Sequence, residues 1–163
     1  MADKKSKKKS ILAGSQPTSS SSLFAIVRVK GNVNIRRDIK DTLQMLRLKA
    51  VNNCSIFPVN DSVKGMLQKV GNYVTWGEVD KAVLEKLVSK RGRVQGDKKP
   101  DEKTAKEVTK KIEDSGSLKN LEIKPVFKLS PPSKGYISVK SRYPDGDAGY
   151  RGVKINELLE KMI

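Results

Sequence analysis

The residues most suggestive of chemistry are Asp145 and Asp147, a close acidic pair in the basic, glycine-rich stretch YPDGDAG. Two carboxylates at this spacing could supply oxygen ligands to Mg²⁺. The same residues are also typical of an ordinary turn, in which aspartate accepts hydrogen bonds from local amides and glycine adopts positive φ. We favour the turn, because short motifs of this kind often match by chance.

Other catalytic arrangements have little support. Ser133 and Lys134 suit a turn and a phosphate contact better than a nucleophile and base. The chain has no histidine and one cysteine, Cys54. This excludes the common Cys/His zinc sites, an internal disulfide framework and the most frequent general base. We therefore expect that the protein is not an enzyme and that it has no catalytic or metal-binding residue, no cofactor and no small-molecule substrate. We expect Cys54 to be a small buried side chain.

The net charge points to a polyanionic partner. The 163 residues carry a formal charge of +16, spread over the whole chain. Such a field attracts nucleic acid or anionic membranes. A membrane span needs about 20 consecutive apolar residues, which the chain lacks, and lysines at the N-terminus are not followed by the apolar region of a secretory signal. We expect nucleic acid as the partner and no membrane.

Hydrophobic periodicity predicts an α+β fold. Strands are expected at 23–31, 54–60 and 73–79, with a helix after each of the first two, which gives a small β-α-β-α-β split sandwich. Two more helices and a C-terminal amphipathic helix follow. We expect a basic, serine-rich tail (1–22), a core (23–79), a helical appendage (80–117), and an extended basic arm with the C-terminal helix (118–163).

The first helix carries a candidate phosphate-binding ridge. At 100° per residue, Arg36, Lys40 and Arg47 lie within about 40° of one another. An ordinary solvated flank is the alternative for any one of them. In the second helix we expect Leu67 to be buried and Gly65 to mark a close approach of another chain segment.

Residues 129–152 contain glycine, proline and cations but few apolar groups. We considered a disordered tail, a catalytic loop and a backbone laid along a polyanion, and favour the last, an extended arm that is mobile in the free protein. The N-terminal tail could likewise order on nucleic acid through Lys4, Lys5, Lys7, Lys8 and Lys9. A solubilising leader and a nuclear targeting signal are alternatives for the tail.

Several stretches together resemble a known family. FAIVRVKGNVNIRRDIKDTLQMLRLKAVNNCSIFP, GMLQKVGNYVTWGEV, FKLSPPSKGY and GDAGYRGVKINELLEKMI are similar to the L-thirty proteins of the large ribosomal subunit, in their long archaeal and eukaryotic form. The resemblance extends from Leu23 to Ile163, whereas the lysine-rich leader departs from the archaeal pattern.

The resemblance implies a structural, rRNA-binding ribosomal protein with a three-stranded antiparallel sheet of ferredoxin-like type flanked by helices. It implies large-subunit rRNA as the partner, with 5S rRNA as a candidate, together with neighbouring ribosomal proteins and a cytoplasmic location on the ribosome. Few aromatic residues are present, so phosphate and shape contacts should dominate. Together with the lysines of the N-terminal tail, the expected RNA-binding residues are Arg28, Lys30, Asn32, Arg36, Arg37, Lys40, Arg47, Lys134, Lys140, Arg142 and Arg151.

A free-standing nucleic-acid-binding protein of the chromatin type is the alternative function. An RNA-modifying enzyme that uses Asp145 and Asp147 is a third and weaker one. Co-sedimentation with ribosomal subunits distinguishes the first two, and magnesium-dependent turnover of RNA would identify the third.

Overall fold

The computed structural model of the protein describes residues 23–94, 96, 98–115 and 123–163. Its strands are β1 (Leu23–Arg28), β2 (Asn53–Pro58), β3 (Val74–Glu78), β4 (Phe127–Lys128) and β5 (Gly149–Tyr150). Its helices are α1 (Arg37–Met45), α2 (Asp61–Val70), α3 (Lys81–Arg91), α4 (Glu102–Ser115) and α5 (Ile155–Met162), with a 3₁₀ turn at Gly152–Lys154. Within these residues, no helix is long and apolar enough to cross a membrane.

The sheet is larger than the expected three antiparallel strands. Its order is β4-β2-β1-β3-β5. β1 is central and pairs antiparallel with both β2 and β3, which gives the predicted three-stranded centre. β4 adds antiparallel to β2, and β5 adds parallel to β3, so the sheet is mixed. The two additional strands are two residues long each, too short to show a periodic pattern in the sequence.

Helices cover both faces of the sheet because β1 is apolar on both sides. Phe24 and Ile26 pack with α1 and α2, whereas Leu23, Ala25 and Val27 pack with α3, α4 and α5. The helices 80–115 thus share one continuous apolar cluster with the sheet and the C-terminal helix. Cys54 is fully buried in that cluster, as expected, and burial raises the pKa of its thiol to about 12.

Of two expectations for α2, one is confirmed and one is wrong. Leu67 is buried, as predicted. A Cβ on Gly65, however, would meet nothing within 4 Å, so no segment approaches there. A close approach occurs instead at Gly77 in β3, where a Cβ would overlap the carbonyl group of Gly152. That contact brings the 3₁₀ turn against the sheet.

Residues 129–152 are not an extended arm. The Leu129 amide donates to the Asn52 carbonyl at 3.0 Å, and the Arg151 amide donates to the Trp76 carbonyl at 2.9 Å, which ties both ends of the segment to the sheet. Between them, Gly146, Asp147, Ala148 and Gly149 are buried. The prediction failed because hydrogen bonds to distant residues hold this segment, and a shortage of apolar side chains does not reveal them.

Candidate nucleic-acid interface

Arg28 organises the end of the sheet at which β1 ends and β2 and β3 begin. The side chain is 1% exposed. Its Nε donates to the Lys30 carbonyl (2.7 Å), Nη1 to the carbonyls of Leu48 (2.8 Å) and Lys49 (3.0 Å), and Nη2 to the Gly31 carbonyl (3.0 Å) and Asn32 Oδ1 (2.5 Å). A guanidinium has five N–H donors, so these contacts use all of them.

Arg28 was expected to contact RNA directly, and the structure contradicts that prediction. No donor remains for a phosphate, and the side chain is inaccessible. The loop 29–36 and the loop 46–52 are instead joined through this one guanidinium. The sequence could not show that carbonyl groups of two loops surround Arg28.

We use the term cationic end for the basic side chains that these two loops and the start of α1 display. Its members are Lys30, Arg36, Arg37, Lys40, Arg47 and Lys49. Arg36, Arg37, Lys40 and Lys49 are exposed, and Lys30 and Arg47 are partly exposed. The Lys30 ammonium lies 5.7 Å from the centre of the Tyr73 ring, a cation–π contact that fixes its position beside β3.

The ridge predicted on α1 has a different geometry. Arg36 precedes the helix in an extended conformation (ψ 144°), and Arg47 follows it with φ 61°. Lys40 alone of the three lies inside α1, so helical periodicity does not align them. The helix ends at Met45, and Leu46 and Leu48 are buried from the turn that follows it.

The remaining predicted contacts are distributed over two regions. Asn32 is exposed, although its side chain also accepts from Arg28. Lys134 and Lys140 are exposed in the loops between β4 and β5. Arg142 is exposed and donates to Asn72 Oδ1 at 2.9 Å, next to the start of β3. The lysines of the N-terminal tail (Lys4, Lys5, Lys7, Lys8 and Lys9) lie outside the described residues.

Arg151 and Asp147 form an internal ion pair. The Asp147 carboxylate accepts from Arg151, from the Ile137 amide at 2.5 Å and from the Ser138 amide at 3.2 Å, and it is 3% exposed. Arg151 also donates to Thr75 Oγ1 at 3.1 Å and lies over the Tyr143 ring. These contacts occupy both side chains within the fold.

The candidate magnesium site has a different function in the structure. Asp147 accepts from the amides of Ile137 and Ser138 and so closes the loop 137–147, a longer-range contact than the local turn that was expected, while Asp145 is exposed. Within the residues that the structure describes, no cluster of three or more acidic, histidine or cysteine side chains could hold a metal. The GDAGYR motif thus supplies contacts that fold the C-terminal segment.

Two residues of this region were missed in the sequence. Lys49 is exposed beside the Arg28 network, and Gln44 is exposed on α1 above it. Lys49 is part of the segment LRLKA, and the cations of this segment are the sequence signal that indicates its role. Its position depends on the tertiary contact between the α1–β2 turn and the β1–α1 loop.

The pKa values of Tyr136 and Tyr150 depend on the folding of the C-terminal segment. Burial, followed by the charge of Asp147, raises the pKa of Tyr136 to about 12, and its hydroxyl donates to Asn52 Oδ1 at 2.7 Å. Burial and the hydrogen bond to Glu78 raise the pKa of Tyr150 to about 12.

We expect these tyrosines to ionise late in an alkaline absorbance titration. Because folding raises both pKa values above the unfolded value of about 10, their contribution to stability is complete below pH 10 and is lost as pH rises towards 12. Tyr136→Phe should remove part of the late phase. An unchanged late phase in that variant would contradict the packing of Tyr136.

Comparison with known proteins agrees with this architecture. A model of the family described as ribosomal protein L30p/L7e matches residues 24–74, which span β1 to the start of β3. Large ribosomal subunit protein uL30 of Methanococcus vannielii is 45% identical over 152 residues, covering 86% of this chain and 99% of that protein. The uL30 proteins of Methanococcus maripaludis and Nanoarchaeum equitans are 47% and 44% identical, again covering 86% of this chain and 99% of theirs.

These relatives match the chain well beyond the segment that the family model covers. The fold and sequence together define a ribosomal protein with a mixed sheet between helices. The chain belongs to the ribosomal protein L30p/L7e family, as the resemblance of its motifs predicted.

Proposed function

We propose that this protein is a structural component of the large ribosomal subunit and binds rRNA through phosphate and shape contacts at the cationic end. Family membership carries the ribosomal assignment. The observation that carries the assignment to this surface is the Arg28 network, which holds two cation-bearing loops side by side. The family is one of ribosomal structural proteins rather than of enzymes.

The charge arrangement supports this role. Arg36, Arg37 and Lys40 are exposed within five consecutive residues, and Lys49 is exposed on the neighbouring loop. A duplex or folded RNA presents phosphates in regular rows, which a cluster of cations on rigid loops can match. Lys134, Lys140 and Arg142 provide a second cationic region, and the lysines of the N-terminal tail extend the basic surface in sequence.

The finer assignments are part of the same proposal. The partners are large-subunit rRNA, with 5S rRNA as a candidate, and neighbouring ribosomal proteins, and the location is the cytoplasmic ribosome. The family relationship does not favour a free-standing nucleic-acid-binding protein. The tagged protein should co-sediment with large subunits through a high-salt wash, whereas a free-standing binder would be released.

Neutralising the start of α1 should weaken RNA binding in a salt-dependent way. We expect Arg36→Gln, Arg37→Gln and Lys40→Gln, combined, to reduce affinity for deproteinised large-subunit rRNA by about 100-fold at low salt. The slope of log affinity against log salt should fall by about one unit for each phosphate that the variant no longer neutralises. Filter binding or fluorescence anisotropy over a salt series measures both quantities.

The matched control removes the same charge from the opposite face of the sheet. Lys103, Lys106 and Lys110 are exposed on α4, and their combined change to glutamine should alter the slope much less. Equal changes in the two triple variants would show that only net charge matters and would contradict a localised interface.

A further inference from the structure

A groove borders the cationic end and is not explained by phosphate contacts alone. It has a volume of about 250 Å³ and lies where the loop 29–36, α1 and the turn after α1 meet. Leu43 and Leu48 lie beneath it and are almost completely buried, and its exposed lining residues are Asn32, Lys40, Gln44 and Lys49. Pockets for drug-sized molecules measure about 300–1,000 Å³, so this groove suits a group smaller than these.

The polar side chains that line the groove differ in how many hydrogen-bond donors and acceptors they have free. Arg28 has no free donor. Asn32 is also engaged, since its Oδ1 accepts from Arg28 and its Nδ2 donates to the Lys49 carbonyl at 3.3 Å. The Gln44 side chain makes no hydrogen bond to any residue that the structure describes, and it is exposed. A carboxamide in that position offers one donor group and one acceptor side by side.

We propose that this groove binds a single unpaired nucleotide of rRNA, with the edge of its base at the Gln44 carboxamide and its phosphates near Lys40 and Lys49. The proposal rests on the proposed rRNA-binding function and adds a base-reading contact to it. Side-chain amides pair with base edges through two adjacent hydrogen bonds. Proteins that read RNA take up unstacked bases in this way.

The surroundings favour a nucleotide over a protein segment. Lys40 and Lys49 flank the groove, and Arg36 and Arg37 begin the same helix. An apolar peptide side chain would gain nothing from these charges, whereas a nucleotide brings its own phosphates to them. Val33, which follows Asn32 directly, is 86% exposed and offers an apolar contact beside the groove for a ribose or a neighbouring base.

The test separates the base contact from the phosphate contacts by their salt dependence. Affinity for deproteinised large-subunit rRNA is measured over a salt series for the full chain and for Gln44→Ala. We expect the variant to bind about tenfold more weakly at every salt concentration with an unchanged slope, because the amide carries no charge. Gln68→Ala is the matched control, since Gln68 is an exposed glutamine on α2 and should bind like the full chain.

Each outcome bears on a different claim. If the unsubstituted chain shows no salt-dependent affinity for this RNA, the proposed function itself fails. If that chain binds with a steep slope and Gln44→Ala binds equally well throughout, the groove proposal is overturned. A changed slope in Gln44→Ala would also overturn it, because a charge effect would then explain the weaker binding.

A second measurement does not depend on a variant. Ultraviolet crosslinking of the chain in large subunits, followed by mass spectrometry, should attach an rRNA base to the peptide that contains Gln44. A crosslink from this peptide to a neighbouring protein instead would show that a protein segment occupies the groove, and would overturn the proposal.

Discussion

Replacing Arg28 by methionine should lower the free energy of unfolding by about 3–5 kcal/mol. Methionine fills much of the same volume but removes the donors that reach the carbonyl groups of Lys30, Gly31 and Leu48. The Lys49 carbonyl loses one of its two donors and keeps the Asn32 amide. The contact with the Leu48 carbonyl is buried and the others are partly buried, and each polar group left without its partner costs free energy in proportion to its burial. Urea denaturation followed by circular dichroism measures the change in stability.

Two variants make the cause identifiable. Arg37→Met removes an exposed arginine nine residues away and should change stability by less than about 0.5 kcal/mol. Arg28→Lys keeps the charge but provides three donors from a single nitrogen, so it should recover only part of the stability. A lysine variant as stable as the original protein would show that the charge alone, and not the planar fork of donors, holds the two loops together.

The parts of the fold that sequence predicted are those with a local pattern. Ile155, Leu158, Leu159 and Met162 recur at helical spacing, and all four are buried on α5. β1 alternates between two apolar sets because helices cover both sides of it. In such segments the spacing of apolar residues directly reflects the packing that the fold requires.

The parts that sequence missed depend on partners far away along the chain. β5 pairs Thr75 with Gly149 and Trp76 with Tyr150, contacts that no pattern around Gly149 records. Asn156 accepts from the Asp80 amide at 3.0 Å and donates to the Glu78 carbonyl at 3.2 Å, which joins α5 to the start of α3. A polar residue in an apolar helix signals that a partner exists but not which one.

The same limit applies to the interface. Basic residues near the start of α1 could be recognised from sequence because exposed cations cluster there. Whether a given arginine faces solvent or carbonyl groups depends on tertiary structure, and Arg28 and Arg151 both proved to be engaged inside the fold. Charge patterning therefore identifies a basic region better than it identifies the individual side chains that contact a phosphate.

Replacing Asp147 by alanine should lower the free energy of unfolding by about 3–5 kcal/mol and loosen the loop that it closes. The change removes the acceptor for the Ile137 and Ser138 amides and leaves Arg151, which is largely buried, without its counter-charge. Breaking one half of a buried ion pair costs this much because the remaining charge stays desolvated. Hydrogen exchange should be slow at Ile137 and Ser138 in the free protein and markedly faster in the variant.

Asp145→Ala is the matched control, because Asp145 lies two residues away in the same motif and is exposed. It should leave both stability and exchange nearly unchanged. A metal site shared by the two carboxylates would behave differently. Adding Mg²⁺ would then raise the melting temperature of the original protein, and both alanine variants would lose that response. Magnesium-independent melting together with a large effect of Asp147→Ala alone establishes that Asp147 holds the C-terminal segment against the sheet.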